Sequence, residues 1–116
     1  MSLRDSLDRW SSRGSIRGAA VVNEDGLLVH DALTPGVDAE AVAALSVTVA
    51  RNGRQLGSSA GAGILGSIVL EFDRGPTIVT ALDERHTLVL LAEPDRDLGP
   101  LLFEVRREKA ALSRGL

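Results

Sequence analysis

The sequence predicts an α+β fold in which five mostly antiparallel strands carry helices on both faces, and three observations lead to it. Five short runs rich in valine, isoleucine, leucine and threonine are separated by turns containing glycine or aspartate, the pattern of strands joined as hairpins. Three longer stretches, at the start, middle and end of the chain, repeat their apolar residues at helical spacing. Each helix then has a stripe to bury, and a sheet covered on both sides is the layering that buries all three.

In chain order, Ser2 to Arg13 is expected to be a short helix with Leu3, Leu7 and Trp10 on one face. The i,i+4 pairs Arg4/Asp8 and Asp5/Arg9 support its solvent side, and Gly14 and Ser15 end it. Ile16 to Val22 and Leu27 to His30 are the first two strands, joined by the hairpin Asn23-Glu24-Asp25-Gly26 with a positive φ at Gly26. A loop from Asp31 to Val37, punctuated by Pro35 and Gly36, leads to a central helix from Asp38 to Leu56. Asp38 is its N-cap, because the carboxylate can accept from free N–H groups of the first turn, and Gly57 is the expected C-cap. Ser67 to Phe72, Thr77 to Leu82 and Thr87 to Ala92 are three further strands, connected through Asp73-Arg74-Gly75 and Asp83-Glu84-Arg85-His86. Pro76 opens a strand, where a missing N–H does least harm. Asp97 caps a last helix with Pro100 in its first turn and a stripe of Leu98, Leu101, Leu102, Val105 and Leu112.

The totals exclude several function classes. The 116 residues, 44% hydrophobic and 25% charged, fit one soluble domain over residues 1–116. A chain of this length buries about two-thirds of its unfolded surface, enough for a core without staples. The absence of cysteine excludes disulfides and thiolate metal sites and fits a cytoplasmic protein. A net charge of −3 and an aromatic content of 3% argue against nucleic-acid binding. No stretch approaches the roughly 20 apolar residues that span a bilayer, and the charged start MSLRDSLDRW is not a signal peptide.

The central helix is the unusual element. Val42, Leu45, Val49 and Leu56 form a stripe that is expected to pack on the core. The opposite side carries Ala43, Ala44 and Val47 between Glu40 and Arg51, rather than the charged face of a helix lying on a small domain. A helix apolar on both sides is usually buried on both sides, so a partner is expected to cover the second one. On this reading Val47 is a surface position that tolerates a charge.

Motifs that resemble chemistry lack its context. Gly61 to Gly66 matches G-x-G-x-x-G, but it follows a helix and precedes a strand, the reverse of a dinucleotide fold. Gly57 to Gly61 matches G-x-S-x-G around Ser59, with Asp73, Asp83 and His86 downstream, and the nucleophile elbow is reversed in the same way. The only lysine, Lys109, is in the last helix and does not follow these glycines, so no phosphate loop is expected. Asp83, Glu84 and His86 read as a solvated hairpin tip rather than a metal site. No catalytic set and no cofactor site are expected.

The long helical connection after the second strand places the third strand, Ser67 to Phe72, on the far edge of the sheet. Its only charge is Glu71, and an apolar edge invites pairing. A two-fold copy can pair Ser67, Ile68, Val69, Leu70, Glu71 and Phe72 with their own counterparts. The same operation sets two central helices side by side, with Ala43, Ala44, Ala50 and Gly53 allowing close approach.

The chain resembles the roadblock dynein-light-chain family, in particular its bacterial MglB-like members. The residues that carry the resemblance are Gly26-Leu-Leu-Val29, Asp38-Ala-Glu-Ala-Val-Ala-Ala-Leu45, Leu65-Gly-Ser-Ile-Val-Leu-Glu71, Leu88-Val-Leu-Leu91 and Asp97-Leu-Gly-Pro-Leu101. Their order and spacing cover about residues 3 to 112. The resemblance implies a profilin-like layering, with the central helix on one face of the sheet and the terminal helices on the other. It also implies a homodimer joined through the third strands, with Ala50 and residues 67 to 72 in the interface. In bacterial relatives the helical face binds a small Ras-like GTPase and modulates its hydrolysis or exchange. In eukaryotic relatives the fold serves as dynein light chain or scaffold, so a scaffold subunit is the alternative. By position, the implied partner contacts are Glu40, Ala43, Ala44, Val47, Arg51 and Arg54. An arginine finger from Arg51 or Arg54 is a further role that neither spacing nor family requires.

Overall fold

A computed structural model of the chain describes residues 3–11, 16–94 and 97–116, and within the first helix the side chains of residues 5–9. The elements are α1 (Leu3–Ser11), β1 (Ile16–Asn23), β2 (Leu28–Ala32), α2 (Ala39–Ser59), β3 (Ser67–Leu70), β4 (Thr77–Ala81), β5 (His86–Ala92) and α3 (Leu98–Arg114). Of the expected α1 stripe, Leu7 is buried. The side chains of Leu3 and Trp10, the Arg4 partner of Asp8, and the stop at Gly14 and Ser15 lie outside the described residues.

The strands form one antiparallel sheet in the order β2-β1-β5-β4-β3. Both faces of its centre are covered, so β1 and β5 are apolar at successive positions rather than alternate ones. Val21, Leu88 and Leu90 point to one side, where they meet Leu7 of α1 and Leu101, Val105 and Leu112 of α3. Val22, Val89 and Leu91 point to the other, against Ala43 and Val47 of α2. The central helix therefore has one face of the sheet to itself, as expected, and α1 and α3 share the other. An Arg9–Glu108 ion pair of 2.9 Å ties α1 to α3.

Side-chain chemistry sets the turns. In the β1–β2 hairpin, Asn23 Oδ1 accepts from the N–H groups of Asp25 (2.9 Å) and Leu27 (3.1 Å), and Gly26 takes a φ of 81°. Asp38 and Asp97 cap α2 and α3 by accepting from Ala41 and Gly99.

Among the described residues, three element boundaries move by two residues or more from expectation. β2 runs later, over Leu28–Ala32. β3 stops at Leu70, leaving Glu71 and Phe72 exposed before the turn that Gly75 N–H closes on the Phe72 carbonyl. Gly57 is not the C-cap: α2 continues to Ser59 and Ala60 caps it. The reason is the returning loop, in which Ala62 N–H donates to the Gly57 carbonyl at 2.8 Å, while a Cβ on Gly57 would stand 3.0 Å from the Gly63 carbonyl oxygen. Gly57 is small for the loop's approach, and the left-handed residue is Gly61, with a φ of 68°.

Gly75 is the position where glycine is most constrained. Its φ is 121°, and a Cβ there would fall on the Ala92 carbonyl oxygen. Gly75→Ala is expected to cost roughly 2–4 kcal/mol from backbone strain plus overpacking. Gly36→Ala, at a φ of 94° with open space around it, should cost only the strain, about 1–2 kcal/mol. Urea unfolding of the two variants checks the ranking.

Candidate interaction surface

Helix α2 sits close to the sheet because its inward residues are small. Ala43, Ser46, Val47 and Ala50 are buried, and one turn further on Gly53 lies over β3, where an added Cβ would come within 2.6 Å of Ile68 Cδ1 and 3.4 Å of Leu65 Cδ1. The spacing of 43, 46, 50 and 53 is itself helical, so a second stripe, made of small residues, runs beside the leucine stripe.

Of the stripe expected to face the core, the two leucines are turned outward, while Val42 packs against the core beneath α2. Leu45 is 65% exposed and Leu56 is 70% exposed, while Val42 and Val49 are half-buried on the shoulder. The physical reason is distance: small side chains let the helix backbone approach the sheet, whereas leucines there would hold it off. At about 100° per residue, Val42, Leu45, Val49 and Leu56 lie on the flank beside Gly53, toward β3. Glu40, Ala44 and Arg51 lie on the opposite flank.

This orientation corrects several expected contacts. Ala43 and Val47 are buried against Val22, Val89 and Leu91, so a partner would meet them only at the floors of the grooves beside α2. Ala50 is fully buried in its own chain and cannot line an interface between copies. Glu40, Ala44 and Arg51 are exposed, and Arg54 is half-buried. Among the expected β3 interface residues, Ser67, Ile68, Val69 and Leu70 are half-buried on the sheet edge, and Glu71 and Phe72 are exposed beyond it.

The flank with Glu40, Ala44 and Arg51 faces the two hairpins at one end of the sheet. Gly26 of the β1–β2 hairpin touches α2 at Ala44, where its Cβ would lie 3.3 Å from the Ala44 Cα. Beside this contact is a groove of about 540 Å³ floored by Leu27, Leu28, Ala43 and Ala44, with Asp25 and Glu40 among its lining residues. Further along α2, a polar recess of about 320 Å³ sets Glu24, Asp25 and Glu84 against Arg51, Arg54 and Arg85. Leu27, Asp25 and Arg85 were not singled out from sequence, because hairpin residues acquire a role only once a helix is laid beside them.

The β4–β5 hairpin is held from both faces of the sheet. Arg54 Nη2 donates to the Asp83 carbonyl at 3.1 Å from the α2 side, and Ser113 Oγ donates to the Leu82 carbonyl at 2.9 Å from the α3 side. Within it, the Asp83 carboxylate accepts from Arg85 N–H at 2.7 Å and lies 3.0 Å from His86 Nδ1. Partial desolvation pushes the Asp83 carboxyl up. The Arg85 N–H and the His86 ring outweigh it, leaving the group below its ordinary value of 3.8.

The glycine-rich segment after α2 presents no helix N-terminus, since it leads into β3. Among the described residues, no three His, Asp or Glu side chains are grouped to hold a metal ion. No helix among them is long and apolar enough to cross a membrane.

The sequence profile described as the Roadblock/LC7 domain matches residues 4–92. Two uncharacterized proteins of Methanocaldococcus jannaschii are each 29% identical over 92 residues, 79% of this chain and 80% of the relative. Among solved structures, MglB of Myxococcus xanthus superposes with a TM-score of 0.87 at 18% identity, covering 97% of this chain and 92% of that one. An MglB solved with a tetrameric arrangement gives a TM-score of 0.83 at 20% identity, over 97% of this chain and 85% of that one. At these identities the likeness is one of fold.

The orientation of α2 makes two expectations measurable. Val47→Asp buries a charge and should cost about 3 kcal/mol or more, whereas Arg51→Glu should stay within about 0.5 kcal/mol; urea midpoints of the two variants separate them. Because the folded-state value of Asp83 is depressed, its contribution is present above the unfolded-state value of 3.8 and lost as pH falls through the lower folded value. Asp83→Asn should therefore differ from the parent in thermal melts at pH 5–7 and converge with it in strong acid.

Proposed function

From the premise that the chain belongs to the Roadblock/LC7 family, we propose that it is a non-enzymatic regulator that acts as a homodimer and binds a small Ras-like GTPase. The observation that carries this reading is the outer surface of α2, which offers two different flanks. Leu45 and Leu56 stand uncovered on the flank next to the β3 edge, the composition of a surface shared with an identical helix. The other flank joins Glu40, Ala44 and Arg51 to the hairpin residues Asp25, Leu27 and Arg85, a mixed apolar and charged surface suited to a partner that comes and goes.

In this proposal the β3 strands pair and the two α2 helices lie antiparallel on one face. The GTPase meets the flanks that remain. The groove over Leu27 and Ala44, with Asp25 and Glu40 beside it, would take an apolar side chain neighboured by a lysine or arginine. In the recess Arg54 is engaged with the Asp83 carbonyl, which leaves Arg51 and Arg85 as the guanidinium groups that would meet a partner. Regulation would follow from holding the partner's switch segments in one arrangement, with all nucleotide chemistry supplied by the GTPase. Such a regulator would work in the cytoplasm.

The test is binding of the chain to nucleotide-loaded GTPases of its own organism. Ala44→Arg and Arg51→Glu should each weaken binding by tenfold or more, about 1.4 kcal/mol, with the mass of the assembly unchanged. The double variant Leu45→Asp/Leu56→Asp should instead shift the mass toward the 12.2 kDa of one chain. Equal affinity for the GTP and GDP forms would overturn the nucleotide-dependent reading in favour of a scaffold subunit. Full binding by both flank variants would remove this surface from the account.

A further inference from the structure

We infer that two copies of this chain pair through β3 in one particular register, with the two-fold axis at Ile68 and Ile64 of each copy packed on Phe72 of the other. This rests on the dimer reading proposed above and specifies which residues meet.

The hydrogen-bond phase of β3 limits the choices. Ala81 N–H donates to the Gly66 carbonyl at 3.1 Å, and Ser67 is opposite Thr80 in the ladder. In an antiparallel ladder bonded pairs alternate with unbonded ones. Gly66, Ile68 and Leu70 therefore direct their backbone groups to β4. Ser67 and Val69, and Glu71 just beyond the strand, direct theirs outward. A copy related by a two-fold axis perpendicular to the sheet must pair residues that lie on the same face. Faces alternate along a strand, so the numbers of two paired residues add to an even total. The axis must then pass through a residue, and the short strand leaves Ile68 or Val69.

An axis at Ile68 sets Ser67 opposite Val69 in both directions. The outward N–H and carbonyl groups of both residues are then all satisfied inside the strand. An axis at Val69 pairs Val69 with itself and needs Ser67 to bond to Glu71, which has already left the ladder. The flanking side chains favour the same choice. Ile64 is wholly exposed and Phe72 is 59% exposed, and each lies four positions from Ile68 along the chain. Both lie outside the strand Ser67–Leu70, and with the axis at Ile68 the segment that carries Ile64 in one copy approaches the segment that carries Phe72 in the other at both ends of the interface. With the axis at Val69, Phe72 faces Gly66 and Ile64 is left opposite Arg74. Ile64 also lines a cavity of about 380 Å³ with Leu65, Ala81, Arg54 and Lys109, so a Phe72 arriving from the second copy packs beside an existing apolar wall.

The same register brings Gly53 near the axis, since α2 lies over Ile68 at that residue. The Leu56 and Val49 side chains beside Gly53 then meet the corresponding flank of the second helix.

The chain contains no cysteine, so single cysteines report the register directly under copper–phenanthroline oxidation. Directly opposed residues in an unbonded antiparallel pair have Cα atoms about 4.5 Å apart, within disulfide range, while diagonal ones are about 7–8 Å apart. Ile68→Cys should cross-link to a dimer, Val69→Cys should cross-link at least tenfold more slowly, and Ile64→Cys/Phe72→Cys should cross-link where neither exposed single variant does. Preferential cross-linking of Val69→Cys would overturn the register and leave the dimer standing. A monomer mass for the parent chain by light scattering, with no variant cross-linking, would overturn the dimer reading and the register with it.

Discussion

The close approach of α2 to the sheet is the constraint on which the rest of the molecule depends. Ala43, Ser46 and Ala50 leave no bulk between helix and strands, and Gly53 rests over Ile68. A helix held that close cannot also turn Leu45 and Leu56 inward, so both are left in solvent. Each leucine left exposed forgoes roughly 1.5–3 kcal/mol of burial. A second surface that covers both therefore has more to gain than any surface ion pair on the molecule could supply, since exposed pairs contribute about 0–1 kcal/mol.

The path of the chain places the second vulnerability beside the first. Helix α2 connects β2 at one edge of the sheet to β3 at the other, so the strand that follows it is an edge strand. It is short and uncharged, and its Ile68 is the residue that supports Gly53. Helix flank and strand edge are thus joined through one contact and face the same side. One covering partner can satisfy both, and an identical copy has the matching shape by symmetry. The opposite flank of α2 is of another kind, charged and grooved, and is braced by a hairpin anchored through Arg54 and Ser113 to helices on both faces. That division gives each side of a single helix a separate role.

Much of this was legible in the residues. Hairpin chemistry at Asn23–Gly26, the caps Asp38 and Asp97, the edge position of β3 and the layering implied by family resemblance all hold in the structure. The orientation of α2 was not legible from periodicity alone. Two stripes of equal period, one of leucine and valine and one of alanine, serine and glycine, compete for the core, and hydropathy ranks the wrong one first. What decides is distance to the sheet, and the signal is the run of small residues at 43, 46, 50 and 53. The same competition buries Ala43, Val47 and Ala50, of which Ala43 and Val47 reach only the floors of the neighbouring grooves. Gly57 was misread for a related reason: glycine can serve a left-handed turn or a close approach, and the Gly63 carbonyl makes it the second.

The central claim is that the outer edge of β3 is covered by a second copy. Amide hydrogen exchange at Ser67 and Val69 tests it most directly, because their N–H groups point away from β4 and have no partner within the chain's own ladder. A paired edge predicts protection of both amides comparable to those of β4, deepening with protein concentration as the dimer fills. Exchange at the rate of an open strand, independent of concentration, would contradict it.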